Sequence, residues 1–212
     1  MTRTATVVKR LPHGAASDGR VRRSQRSGNA IVDALMELVG EGMIEPTAQQ
    51  VAQRAKVGIR TVFRRFADME RLFAEMDARL QAEAVPLLIG GRPAGTLAQR
   101  ARALVQQRVA FFERIAPYKR SGNLKRWRSS FLRERHALLV RTLRTELLRW
   151  LPELRRVPAA TVDALELATS FEAWDRLRSE QRLSSQRAQT AVERTVMALV
   201  NEVRKENRRC LG

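Results

Sequence analysis

Along this chain apolar residues recur at three- and four-residue spacing and almost never alternate as a strand would, so the pattern predicts an all-α protein. Ile31, Ala34, Leu35, Leu38 and Val39 form a first helical stripe, which stops at Gly40-Glu41-Gly42. Val51, Ala52 and Ala55 form a second, short stripe after Thr47, a residue suited to accept hydrogen bonds from the first-turn N–H groups of a helix. Val62 and Phe66, four apart, bury one side of a third helix. Ile59, Arg60, Phe63 and Arg64 then fall on another face, which is basic and carries one aromatic and one aliphatic residue. Two short helices meeting across a tight turn, the second so decorated, are the usual way to hold a helix in a DNA major groove.

Further on, the pattern predicts an amphipathic helix from Asp68 to about Val85 that Pro86 ends, then a linker-like break at Gly90-Gly91-Arg92-Pro93-Ala94-Gly95. Thr96 is placed to cap a helix carrying Leu97, Ala101, Leu104, Val105, Val109, Phe112 and Ile115 as far as Pro117, with an interruption at Ser121-Gly122-Asn123. A long helix is expected from about Leu124 to Leu151 on Trp127, Phe131, Leu138, Leu139, Leu143, Leu147 and Trp150, ended by Pro152. Two more follow, from about Ala159 to Arg182 and from about Ser184 to Arg208. Leu165, Ala168, Phe171 and Leu177 on the first, and Ala188, Ala191, Val192, Thr195, Val196, Leu199 and Val203 on the second, make broad apolar faces with small residues that permit close helix approach. Such faces either pack within one chain or meet a second copy in a four-helix interface.

The stretch Thr47 to Phe66 resembles the N-terminal motif of the TetR family of bacterial transcription regulators: Thr, three residues, an aliphatic residue with Ala, then a turn into Val, Thr, an aromatic and Phe. The upstream stripe looks like the family's first helix, and Phe66-Ala67-Asp68-Met69-Glu70-Arg71-Leu72-Phe73 looks like its entry into the fourth. The likeness covers about residues 26 to 76; beyond that the chain is similar only in layout. It implies a three-helix helix-turn-helix DNA-binding domain over residues 26–73 and a helical bundle for ligand binding and dimerisation over residues 74–212. It further implies a ligand-responsive repressor that binds a palindromic operator in double-stranded DNA as a homodimer. The matching positions assign DNA contact to Thr47, Gly58, Ile59, Arg60, Thr61, Phe63, Arg64 and Arg65.

Three positions depart from the family pattern. Lys56 stands at the turn where Gly is usual and would have to adopt a left-handed conformation or shift the turn. Phe63 replaces a Tyr and loses a hydroxyl able to bond phosphate, and Met69 replaces a Lys near the start of the next helix. The arginines at 60, 64 and 65 are placed to offset that lost charge.

Charge agrees with a polyanionic partner but is less specific. Lys and Arg number 40 against 22 Asp and Glu, giving a net charge of +18, which favours phosphate neutralisation. Charge alone would suit RNA or an anionic membrane surface equally. Residues 1–25 read as a flexible basic arm, with Arg22, Arg23 and, where the first helix begins, Arg26 as candidate DNA contacts. No run of ~18 apolar residues is present to span a bilayer, and no secretory stretch is recognisable, so a cytoplasmic protein without membrane contact is expected. The one cysteine, Cys210, excludes a disulfide framework and a tetrahedral Cys/His zinc site, and no cofactor is expected. His13 and His136 lie near no nucleophile at a suggestive spacing, so an enzyme is not expected.

Phe111, Phe112, Tyr118, Trp127, Phe131, Phe171 and Trp174 are the candidates to line an effector pocket between helices, with Arg128, Arg135, His136 and Glu172 as polar partners. The effector itself has no signature beyond a weak preference for an anionic or aromatic molecule. Two other readings stay open: a non-specific or architectural nucleic-acid binder, and a helical protein-interaction module whose DNA-binding domain has degenerated.

Overall fold

The structure, a computed structural model, describes residues 15–209, with side chains for residues 25–206. In chain order it has α1 (Ala15–Gly40), α2 (Ala48–Arg54), α3 (Ile59–Arg65), α4 (Met69–Ile89), α5 (Leu97–Lys125) and α6 (Ser130–Trp150). A 3-10 turn (Pro152–Arg156) follows, then α7 (Ala159–Ala168), α8 (Phe171–Asp175) running into a π-helical turn (Arg176–Glu180), and α9 (Ser185–Arg209). Among the described residues there is no strand, and the protein is all-α as its periodicity predicts.

Several boundaries differ from the sequence reading, and burial explains most of them. α1 begins at Ala15 rather than near residue 26, so residues 15–25 of the expected arm are helical, while residues 1–14 lie outside the described chain. The Ala, Arg and Gln of that stretch are good helix formers, enough to carry the helix past Gly19 and Gly28. α4 runs through Pro86 to Ile89 because Ala84 and Leu88 are both buried, and Gly90 N–H closes the helix on Pro86 O at 3.0 Å. α5 likewise continues through Pro117 and residues 121–123, since Tyr118 and Ser121 are buried and the Ser121 hydroxyl donates to Ile44 O at 2.6 Å. The expected long helix from 124 is in fact divided: Arg128 N–H bonds Lys125 O, and the Ser129 hydroxyl accepts from Leu132 N–H to start α6. Its far end is as predicted, with Pro152 opening the 3-10 turn.

The chain divides into two compact units. One takes α1 through Leu38 together with Pro46–Met76; the other takes Val39–Glu45 and the chain from Asp77 onward. In the first, Ile31, Leu35 and Leu38 of α1 share a core with Val51 of α2, Val62 of α3 and Leu72 of α4. In the second, α5 and α9 pack most extensively, and α7 and α6 lie against them. The break at residues 90–95 is pinned rather than free. Gly91 lies so close to Trp150 that a Cβ there would sit 2.5 Å from its ring, Arg149 donates to Gly91 O at 3.0 Å, and Arg100 donates to Gly95 O at 2.7 Å.

The apolar faces near the C-terminus are largely consumed within the chain. Leu165, Phe171, Ala188, Val196 and Val203 are each at most 1% exposed, because amphipathic α9 docks on α5 and α7 of the same chain. What remains outward on the faces of α7 and α9 is smaller: Leu167, 68% exposed, with Thr195 and Ala198.

Candidate nucleic-acid interface

In the first unit Thr47 starts α2 with a capping box. Its hydroxyl accepts from Gln50 N–H at 3.3 Å while the Gln50 side chain accepts from Thr47 N–H at 2.8 Å. The other end of α2 closes in a Schellman arrangement: Lys56 N–H bonds Gln53 O at 3.1 Å and Val57 N–H bonds Ala52 O at 3.0 Å. That geometry needs a left-handed residue where Lys56 stands, and Lys56 has φ 54°. The glycine-type turn is therefore retained and Lys56 bears its strain. Arg54 on α2 pairs with Glu37 on α1 at 3.3 Å, and Asp68 caps α4 by accepting from Arg71 N–H at 2.8 Å.

These anchors set the rotation of α3. Val62 is 1% exposed and faces the core with half-buried Phe66 beyond the helix end, so Ile59, Arg60, Phe63 and Arg64 face outward. Phe63 is 49% exposed, a high value for a large aromatic on a short helix. Thr61 and Arg65 flank this face half-buried, while Gly58 and Thr47 are exposed at the starts of α3 and α2. Arg60, Arg64 and Arg65 make no ion pair among the described residues. Arg26 is exposed on α1; Arg22 and Arg23 belong to the same helix, and their side chains lie outside the described set. The surface is thus cationic, apolar at its centre and mounted on a helix whose other side is fixed.

No protein family's sequence profile matches the chain, and no curated protein matches it. Among solved structures it is similar to a transcriptional regulator from Rhodococcus sp. Rha1, with a TM-score of 0.63 and 20% sequence identity, over 84% of this chain and 96% of that one. The fold is shared with a solved transcriptional regulator. Among the described residues no helix is long and apolar enough to cross a membrane, and no cluster of His, Cys, Asp and Glu is arranged to hold a metal.

In the second unit four of the seven expected pocket residues come together. Phe112 lies 5.7 Å from Phe111 and meets Phe171 edge-on at 5.7 Å, and buried Trp174 donates to Glu113 at 3.1 Å. Tyr118 is buried on α5 beneath Arg114, and Phe131 is half-buried on α6. Trp127 does not join them: the turn before α6 turns it out to 73% exposure, with Arg128 over its ring. Of the polar candidates, Arg135 pairs with Asp77 at 2.8 Å, and His136 Nδ1 lies 2.6 Å from Lys119 Nζ. Burial lowers the Lys119 ammonium to about 8, and burial followed by Lys119 and Arg126 lowers His136.

Arg108 escaped the sequence reading. It sits on the apolar stripe of α5, is 2% exposed, and lines a small cavity of about 10 Å³ with Val105, Phe112, Thr169, Trp174 and Val192. Its signal in the sequence was an Arg at a core position between Val105 and Phe112.

Proposed function

We propose that this chain is a sequence-specific DNA-binding transcriptional regulator of the TetR type, acting on double-stranded DNA as a homodimer and as a repressor answering to a small-molecule effector. The observation that carries the reading is the outward face of α3: two exposed arginines without carboxylate partners among the described residues, beside exposed Ile59 and Phe63, on a helix held by buried Val62. Unpaired guanidinium groups favour bidentate contact with guanine edges or phosphates, and an exposed apolar pair suits a thymine methyl or sugar edge. The likeness of fold to a solved transcriptional regulator supports the same reading. Exposed Leu167 on α7 and Ala198 on α9 are apolar side chains left outward for a second copy, which would set two α3 helices on half-sites about 34–36 Å apart or a multiple of that.

The test is a gel-shift and footprinting comparison on DNA from upstream of the protein's own gene. Arg60→Ala and Arg64→Ala are expected to cost about 1–3 kcal/mol each, with specificity relaxed at one base position per variant. A loss spread uniformly over all sequences would reassign these arginines to phosphate contact.

A further inference from the structure

Arg108 is a buried cation without a bonded anion. Its guanidinium donates to Leu143 O at 2.6 Å, to Thr169 O at 2.5 Å and to the Thr169 hydroxyl, all neutral acceptors. The two carboxylates with the strongest pull on its charge are committed elsewhere, Glu146 to Arg149 and Glu166 to Arg144. Its Nε has no acceptor. Burial brings the group down to about 10, so it remains charged at neutral pH, and a charge kept in such a place is expensive unless something compensates it.

The surroundings describe what that compensation is. The cavity beside Arg108 has two aromatic walls, Phe112 and Trp174, and aliphatic Val105 and Val192; its polar groups come from the junction of α7 and α8. One guanidinium in an apolar, aromatic setting matches a single carboxylate on a hydrophobic body. A phosphate, with more charge and more oxygens, would leave acceptors unsatisfied there. At about 10 Å³ the cavity holds one water, so a ligand enters only if a wall moves. The wall at which the helical run is broken is the junction that Arg108 itself holds. α7 stops at Thr169, α8 restarts from the Ser170 cap, and the π-helical turn at 176–180 follows.

We propose that Arg108 anchors an effector bearing a carboxylate on an aromatic or aliphatic body, and that the carboxylate displaces Thr169 from the guanidinium and so frees the α7–α8 junction. This rests on the effector-responsive reading above and names the effector's class. The displaced Thr169 hydroxyl retains a partner, since it already donates to Leu165 O at 2.6 Å.

The experiment measures binding to the full-length protein by thermal shift and calorimetry, with benzoate, phenylacetate and 3-phenylpropionate against their primary amides and against inorganic phosphate. At least one acid is expected to bind ten-fold or more tightly than its amide, and phosphate is expected not to bind. Arg108→Gln should abolish the preference for acid over amide, and Thr169→Val, which removes the competing hydroxyl, should tighten acid binding several-fold. Equal binding of acid and amide, binding of phosphate alone, no binding of any probe, or unchanged acid affinity in Thr169→Val would each overturn the proposal. The wild-type and Thr169→Val measurements decide it even if Arg108→Gln does not fold. DNA binding assayed on the same preparations keeps the two readings separate: a protein that binds its upstream DNA but prefers no acid loses only the Arg108 assignment.

Discussion

Lys56 holds φ 54° because the turn between α2 and α3 closes through Val57 N–H to Ala52 O, and only a left-handed residue lets both of its end bonds form. For a residue with a Cβ that conformation costs about 1–2 kcal/mol, part of which glycine would return as extra freedom in the unfolded chain. Lys56→Gly is therefore expected to raise stability by about 0.5–1 kcal/mol in urea unfolding with little change in DNA affinity. A loss of stability would mean that the Lys56 side chain makes a contact worth more than the strain. The same positions show how much was readable residue by residue. The cap at Thr47, the strain at Lys56 and the burial of Val62 follow from short-range rules and were legible. Trp127 and Arg108 were not: their spacing placed the first in the core and gave the second no role, and a turn at Ser129 and three distant carbonyl and hydroxyl acceptors decided otherwise.

Between elements, α5, α6 and α8 are joined by a contact that responds to protons. Lys119 of α5 meets His136 of α6 at 2.6 Å, lies 5.9 Å from the Phe171 ring of α8, and has Arg126 and exposed Glu172 as charged neighbours. Burial lowers its ammonium from 10.5 to about 8, so from pH 8 to 10.5 the unfolded chain keeps a proton that the folded chain has released. Unfolding then takes up that proton, and stability contributed at this site rises with pH across the window. Lys119→Met removes the effect: the stability of the wild type relative to this variant is expected to climb between pH 8 and 10, measured by denaturant unfolding at each pH. A flat or falling difference would show that Lys119 titrates as a solvated lysine. Helix boundaries were less legible than helix existence for the same reason that this contact was invisible. Pro86 and Pro117 are local stop signals, and they were overridden by the burial of Leu88 and Tyr118, which no local pattern records.

At the scale of the molecule, a charge of +18 draws the chain to any polyanion, and only geometry distinguishes readout from simple neutralisation. In the proposed function that geometry is the outward face of α3, whose rotation was legible in the periodicity of Val62 and Phe66 against Ile59, Arg60, Phe63 and Arg64. The C-terminal half was legible as helices but not as partners. The apolar faces of α7 and α9 carry the same signature whether they pack inside a protomer or between two, and most of that surface is spent inside. Fluorescence anisotropy with the full-length protein at one fixed salt concentration, on a duplex from upstream of its own gene and on a scrambled duplex of equal length and composition, tests the central claim most directly. The account predicts at least a thousand-fold preference for the upstream duplex, within the usual span of specific over non-specific binding, and a sharp loss of that preference in Arg64→Ala. Equal affinity for the two duplexes, falling in parallel as salt is raised, would contradict it.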